Sequence, residues 1–165
     1  MNLDYGSGSK PKKGFKSSDF CGAPGYDYFI KDYRVLDLED KSCDVIHCRN
    51  VIHHIPEADL PLLFGEFKRL LKDNGVLIIS EPREEFHEQN KLLDLIWYRF
   101  LTYAPEIMVP DKYVDYKKYL EGFVTVHTED ENKNEILTLH RVGRKAYLNE
   151  VVEKNRDALW RLARA

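Results

Sequence analysis

Apolar residues recur at helical spacing in one stretch near the middle of the chain. The stripe consists of Leu60, Leu63, Phe64, Phe67, Leu70 and Leu71. Because residues three and four apart share one face of an α-helix, this spacing predicts an amphipathic helix packed on a core. Asp59 can cap its start, Pro61 fits its first turn, and Asn74-Gly75 can end it in a left-handed conformation.

Short apolar runs predict strands on both sides of this helix. Residues 43–48 precede the helix, and residues 76–80 follow it and lead into Glu81-Pro82. The order strand, helix, strand without alternation is typical of a parallel sheet buried on both faces. Earlier strands are predicted in residues 2–5, 15–20 and 33–36.

The second half of the chain predicts helices and one hairpin. Strands over residues 123–128 and 136–140 are separated by a polar turn at 129–134. Such a short connection requires antiparallel pairing. The other predictions are an aromatic helix over 84–104, a short helix over 114–120 and a helical tail from residue 144.

A pair of glycines follows the first predicted strand. Gly6 and Gly8 flank the small Ser7, and glycine permits positive φ and close approach of a ligand to the backbone. A strand that runs into such a loop is a common site for a nucleotide-like cofactor, although an ordinary turn explains the same residues. A nicotinamide-binding unit would carry its acid about 20 residues later. Asp19 follows Gly8 by only eleven residues, so the first crossover helix is expected to be reduced or absent.

Composition narrows the class of protein further. The 165 residues are 43% hydrophobic and 32% charged with a net charge of -3, which fits one globular domain. This balance gives no reason to expect binding to nucleic acid or to a membrane surface. The three cysteines form no CxxC pair, and no membrane-length apolar run is present. We therefore expect reduced thiols and a cytoplasmic location.

Four segments resemble the S-adenosylmethionine-dependent methyltransferases of the Rossmann-like class, in that family's order. They are residues 3–8, Asp19, residues 37–40 and residues 43–80. The resemblance is close over residues 2–82 and extends to residue 142 by topology alone. It implies an α/β fold with a single Rossmann-like methyltransferase domain, a mostly parallel sheet and a C-terminal antiparallel hairpin strand. We expect this domain over residues 1–143, with 84–121 as a possible substrate lid and 144–165 as a helical extension.

The resemblance implies S-adenosylmethionine as the cofactor and assigns residues to it. These are Tyr5, Gly6, Ser7, Gly8, Asp19, Phe20, Asp37, Leu38, Cys48 and Arg49. A carboxylate at a strand end can accept both ribose hydroxyls, which suits Asp19, although an acid that caps a turn is the alternative. Asp37 is the counterpart for the adenine amino group, but Glu39 and Asp40 beside it could take the same role.

His54 is the candidate catalytic residue, since the family often has a histidine there, close to the transferred methyl group. A histidine that caps a helix or borders the core explains it equally. The adjacent His53 cannot share a metal with it, because neighbouring helical residues point about 100° apart. We expect no metal site.

Two functions follow as hypotheses. The first is methyl transfer to a small-molecule acceptor. The second is a catalytically silent methyltransferase-like module that acts through partner contacts, including a homodimer formed by the C-terminal helix. Tyr98, Tyr103, Tyr113 and Tyr116 could stack on an acceptor, or they could complete the core.

Overall fold

The computed structural model of the chain describes residues 1–8, 10–20, 25–87 and 113–142. The strands in these ranges are β1 (Asn2–Tyr5), β2 (Lys16–Asp19), β3 (Tyr28–Phe29), β4 (Cys43–Arg49), β5 (Leu71–Pro82), β6 (Phe123–Glu131) and β7 (Asn134–Arg141). The helices are α1 (Leu60–Leu70), α2 (Glu84–His87) and three 3₁₀ helices at Ile52–His54, Glu57–Asp59 and Tyr116–Tyr119.

These strands form one sheet in the order β3-β2-β1-β4-β5-β7-β6. Strands β1 to β5 pair in parallel, and β7 lies antiparallel between β5 and β6. The predicted parallel sheet and C-terminal hairpin are therefore confirmed. The hairpin turns at Asn132 and Lys133, and Asn132 takes a φ of 54°, a left-handed conformation that asparagine tolerates.

The sheet reverses its direction of growth at β1. The chain adds β2 and β3 on one side of β1 and then places β4 on the other side. In an open parallel sheet, ligands bind at the carboxyl ends of the strands where the order reverses. The described residues between β1 and β2 contain turns and no helix, so the expected loss of the first crossover helix is confirmed.

Helix α1 covers one face of the sheet, and the predicted apolar stripe is confirmed. Leu63, Phe64 and Phe67 are fully or almost fully buried, and they pack towards strand residues such as Tyr5 and Ile46. The rings of Tyr5 and Phe67 meet edge to face with centroids 5.0 Å apart. Because Tyr5 directly precedes Gly6, this packing fixes the position at which the glycine loop begins.

The predicted ends of α1 are wrong in two respects. The side chain of Asp59 makes no capping hydrogen bond, because its carboxylate accepts the hydroxyl of Tyr33 instead. The helix ends at Leu70, four residues before Asn74. Asn74 does take a left-handed φ of 63°, but it lies within β5.

The third strand was predicted at residues 33–36, and that prediction is wrong. The strand beside β2 is Tyr28–Phe29, and residues 33–36 form a turn at 33–34 followed by irregular backbone. Tyr33 and Leu36 are buried while Val35 is 66% exposed. Burial of residues three apart is a turn-like spacing, whereas a strand would bury residues two apart.

Some predictions fall outside the described residues. Helix α2 begins where the aromatic helix was expected, but residues 88–112, with Tyr98 and Tyr103, are not described. The same holds for residues 143–165, so the helical tail and its dimer contact stay predictions. The short helix expected over 114–120 is present as the 3₁₀ helix Tyr116–Tyr119.

Candidate functional site

The glycine loop leaves the carboxyl end of β1 in a conformation that suits glycine. Gly6 and Gly8 have φ values of 66° and 56°. A Cβ on Gly6 would lie 2.3 Å from a methyl carbon of Val51, which follows β4 by two residues. The lack of a side chain at Gly6 therefore lets the ends of β1 and β4 approach each other.

The backbone donors of this loop are already used inside the protein. The Ser7 N–H donates to the carbonyl oxygen of Ser18 at 2.8 Å, and the Gly8 N–H donates to Oδ2 of Asp19 at 2.6 Å. The loop is thus tied to the end of β2. Ser7 differs in its side chain, because its buried hydroxyl has no hydrogen-bond partner.

Asp19 and Phe20 lie beside this loop, as the sequence predicted. Asp19 ends β2 and is 8% exposed, and its carboxylate holds Gly8. Phe20 is 6% exposed, and its ring packs edge to face on Tyr5 at 5.8 Å. Tyr5 and Phe20 therefore serve the core with their rings, and only their backbone borders the loop.

A cavity of about 370 Å³ extends from the glycine loop across β4 and β5 to β7 and β6. Ser7, Lys10, Lys12 and Arg49 line it, together with Ser80. Three cations and a buried hydroxyl without a partner among the described residues thus face one space, together with the carboxylates of Asp4, Glu129 and Glu131. The cavity therefore offers donors for an anionic group and carboxylates for a cationic one.

Asp4 forms the floor of this cavity with His47. The imidazole Nδ1 of His47 lies 2.7 Å from Oδ1 of Asp4, and the Lys12 N–H donates to Oδ2 at 2.6 Å. Burial raises the pKa of Asp4, but the bonds from His47 and Lys12 outweigh burial and lower that pKa overall. The pair links β1 to β4 directly below Gly6.

Cys48 and Arg49 end β4, as expected. Cys48 is fully buried, and burial holds the pKa of its thiol well above the usual range. A neutral, enclosed thiol takes no part in binding, so this residue can act only through its backbone. Arg49 is exposed and lines the cavity.

A buried carboxylate closes the end of β5. Glu81 is 3% exposed and accepts the N–H groups of Val51 and Ile52 at 2.8 and 3.0 Å. Its other oxygen lies 2.5 Å from Nδ1 of His53. Burial raises the pKa of Glu81, but His53 and the two backbone donors lower it further than burial raises it.

His54 lies next to this ion pair. It is 8% exposed, and its ring faces that of His53 with centroids 4.1 Å apart. Glu81 and His53, which the sequence reasoning passed over, therefore hold the candidate catalytic residue in place. An acid directly after a predicted strand was the available signal for Glu81.

Asp37 and Leu38 do not join the glycine loop in this structure. Their segment lies along the C-terminal half of α1, where Arg69 donates to the carbonyl oxygens of Leu36 and Leu38 at 3.0 and 2.7 Å. Helix α1 runs opposite to the strands, so Arg69 stands near the amino end of β5. The segment of Asp37 and Leu38 therefore lies at the opposite edge of the sheet from the carboxyl ends of β1 and β2.

Asp32 occupies the position expected of the third acid. It follows β3 by three residues, at the same edge of the sheet as Asp19, and Ile30 donates to the carbonyl oxygen of Asp19 at 2.8 Å. Its carboxylate is held by both Nε and Nη2 of Arg34. The sequence reasoning missed Asp32 because it placed the strand too late in the chain.

Comparison with known proteins identifies the family. The sequence profile described as a methyltransferase domain matches residues 3–112, which is more than half of the chain. The chain belongs to this methyltransferase domain family. The matched region begins at β1 and contains the glycine loop, Asp19 and Glu81. No curated protein sequence matches the chain.

Solved structures share the fold of this methyltransferase domain. An S-adenosylmethionine-dependent methyltransferase from Methanosarcina mazei is 16% identical, with a TM-score of 0.60 over 86% of this chain and 92% of that one. One from Thermotoga maritima, described as a possible histamine N-methyltransferase, is 13% identical, with a TM-score of 0.62 over 86% and 82%. A type 11 methyltransferase from Sulfolobus solfataricus is 20% identical, with a TM-score of 0.56 over 87% and 84%.

The described part of the methyltransferase domain contains neither a membrane-spanning helix nor a metal cluster. None of the helices in the described ranges combines the length and apolar character needed to span a bilayer. Within the same residues, no three His, Cys, Asp or Glu side chains are grouped so that they could hold a metal ion.

Proposed function

We propose that the chain is an S-adenosylmethionine-dependent methyltransferase that acts on a small-molecule acceptor. One observation carries this proposal: the bond between Gly8 and the buried Asp19 holds the glycine loop at the point where the sheet reverses. Family membership supports the same reaction. The acceptor and the site residues are inferred from the geometry alone.

The residues at this edge fit the cofactor. Because the Ser7 and Gly8 N–H groups bond within the protein, the methionine carboxylate would rely on side chains. The buried Ser7 hydroxyl and the Arg49 guanidinium, both of which line the larger cavity, are suited to it. Asp19 would accept the ribose hydroxyls beside the loop, and Asp32 would accept the adenine amino group.

S-adenosylmethionine supplies a methyl group that its sulfonium already activates. The chain therefore has to align the acceptor with that group and exclude water, and such positioning can account for much of the rate enhancement. A base is needed only where the acceptor must lose a proton. His54 is the candidate to accept that proton: it ends the 3₁₀ helix that follows β4, and its ring contacts His53, which is bonded to Glu81.

The two candidate acids for adenine can be separated by a matched pair of variants. Asp32→Ala is expected to weaken S-adenosylhomocysteine binding about tenfold, because a lost charge-assisted hydrogen bond is worth about 1.5–3 kcal/mol. Asp37→Ala removes an exposed carboxylate near α1 and should leave the dissociation constant within about twofold. Calorimetric titration measures the dissociation constants of both variants. Weaker binding by Asp37→Ala than by Asp32→Ala would assign the adenine contact to Asp37 instead.

Turnover tests the proposed function as a whole. The protein is incubated with S-adenosylmethionine and a small-molecule fraction of a cell extract, and S-adenosylhomocysteine is measured by mass spectrometry. We expect product to accumulate with the wild-type protein and to fall to background with Asp19→Ala. Equal product from both proteins would contradict the proposal, and cofactor binding without product would favour the catalytically silent alternative.

A further inference from the structure

A second cavity, of about 160 Å³, lies beside the carboxyl end of β5. Its walls are the segment from Glu81 to Glu84, the residues around Tyr116, and Glu135 at the start of β7. A cavity of about 150 Å³ in another protein holds benzene. This one therefore has room for about six non-hydrogen atoms by the same comparison.

Two buried donors line this cavity and have no hydrogen-bond partner among the residues that the structure describes. They are the Tyr116 hydroxyl, on a residue that is 6% exposed, and Nε of Arg83. A buried polar group without a partner destabilises a protein, so native structures satisfy nearly all of them. Two such groups in one cavity suit a ligand that accepts hydrogen bonds.

The charges of the cavity favour a cationic ligand. Four carboxylates line it, from Glu81, Glu84, Asp115 and Glu135, against the two cations Arg83 and Lys117. Both cations are already paired: Lys117 lies 2.7 Å from Glu135, and Arg83 lies 3.3 Å from both Glu85 and Asp130. Glu81 in turn bonds to Val51, Ile52 and His53, so Glu84 and Asp115 are the lining carboxylates that remain. Their negative charge would repel a carboxylate ligand and attract an ammonium group.

The cavity stands next to the candidate cofactor site. Gly6 abuts Val51, and the N–H of Val51 donates to Glu81, which lines the second cavity. Val51 and Glu81 therefore lie between the glycine loop and the second cavity. A ligand held there would lie beside the end of β5.

We propose that this cavity binds the acceptor, a small amine cation that also carries an oxygen able to accept hydrogen bonds. The ammonium group of the ligand would lie among the carboxylates, and the oxygen of the ligand would accept hydrogen bonds from Tyr116 and Arg83. The claim that this ligand is the methyl acceptor rests on the proposed methyl transfer. The binding of the amine itself does not depend on it.

Ethanolamine is the probe, and glycolate is its matched control, because it has the same size and hydroxyl but the opposite charge. Binding to the full chain is followed by amide chemical shifts in NMR spectra at constant ionic strength. We expect saturable binding of ethanolamine in the millimolar range and none of glycolate. Tyr116→Phe should weaken ethanolamine binding about fivefold, since one hydrogen bond is lost. Tyr119→Phe is the control, because that hydroxyl lies on the same 3₁₀ helix and bonds to Glu57 instead.

The thermal stability of Tyr116→Phe distinguishes a ligand-binding role of Tyr116 from a structural one. If its hydroxyl has no partner in the free protein, Tyr116→Phe should keep the melting temperature or raise it by about 2–4 °C. A lower melting temperature would show that the hydroxyl is already satisfied and would overturn the proposal. Equal ethanolamine binding by wild type and Tyr116→Phe, or no saturation at all, would mean that the cavity holds water only.

Failure of this proposal can be told apart from failure of the proposed function. S-adenosylhomocysteine binding is measured on the same samples, and Tyr116→Phe should leave it unchanged. Ethanolamine binding without S-adenosylhomocysteine binding would refute the methyltransferase and keep the amine site. The opposite result would refute the amine site alone.

Discussion

Replacing Glu81 with alanine is expected to lower the free energy of unfolding by about 3–5 kcal/mol, since three buried donors bond to this one carboxylate and each donor left without an acceptor costs about 1–3 kcal/mol. Glu81 is 3% exposed and accepts from Val51, Ile52 and the ring of His53. Its loss leaves these donors without their acceptor in a site that water does not reach. The total stability of a domain is about 5–15 kcal/mol, so this is the largest loss we expect from one substitution.

Urea denaturation of three variants checks this expectation. Glu81→Gln keeps an acceptor for the Val51 and Ile52 N–H groups, so its loss should be smaller than that of Glu81→Ala. Glu84→Ala removes an exposed carboxylate from the same segment and should change stability by less than about 0.5 kcal/mol. A loss below about 1 kcal/mol for Glu81→Ala would show that the buried cluster is not a structural centre.

The pH dependence of the same variants has a definite sign. Burial raises the pKa of Glu81, but the charge and bond of His53 and the two backbone donors bring it below its ordinary value of 4.5. A carboxyl group with a lowered pKa contributes stability above its ordinary pKa and loses it as the pH falls through the folded value. Wild type should therefore lose more stability than Glu81→Gln between pH 7 and pH 3. Equal losses would mean that Glu81 is not ionised in the folded protein.

Gly6→Ala is expected to weaken S-adenosylhomocysteine binding at least about tenfold, equivalent to about 1.4 kcal/mol. The new Cβ would lie 2.3 Å from a methyl carbon of Val51, and the φ of 66° disfavours any L side chain. Val51 is 4% exposed, so it has little space to yield. The ends of β1 and β4 must then separate, and the loop that faces the cofactor moves with them.

Gly8→Ala is the matched control for this substitution. Its φ is also positive, at 56°, but no atom lies within 4 Å of the added Cβ. It should therefore show only the cost of the backbone conformation, about 1 kcal/mol in stability. Adding Val51→Ala to Gly6→Ala removes the clashing methyl groups and should restore part of the affinity. Equal effects of the two glycine variants would refute the role of this close approach.

The elements that the sequence predicted well are those set by local pattern. The stripe from Leu60 to Leu70 and the hairpin around Asn132 depend on neighbours within a few residues. The third strand failed because its position depends on partners far away. Leu36 is placed by Glu66, which accepts its N–H at 2.7 Å, and no pattern near Leu36 records that bond.

The residues of the candidate site also separate into those that local sequence pattern predicts and those that depend on distant partners. Glycines and an acid after successive strands were enough to propose Gly6, Gly8 and Asp19, and the structure places Gly8 and Asp19 in contact. The pair of Glu81 and His53 could not be predicted, because 28 residues separate its members. The cavity beside Tyr116 could not be predicted either, because it forms only where β5, β7 and a 3₁₀ helix meet.

Calorimetric titration of the wild-type protein with S-adenosylhomocysteine tests the central claim most directly. The larger cavity, the Ser7 hydroxyl and Asp19 predict one saturable site with a dissociation constant below about 1 mM, equivalent to more than about 4 kcal/mol of binding. Gly6→Ala in the same cell should reduce the heat and the affinity. No binding to the folded wild-type protein at millimolar ligand would contradict the account.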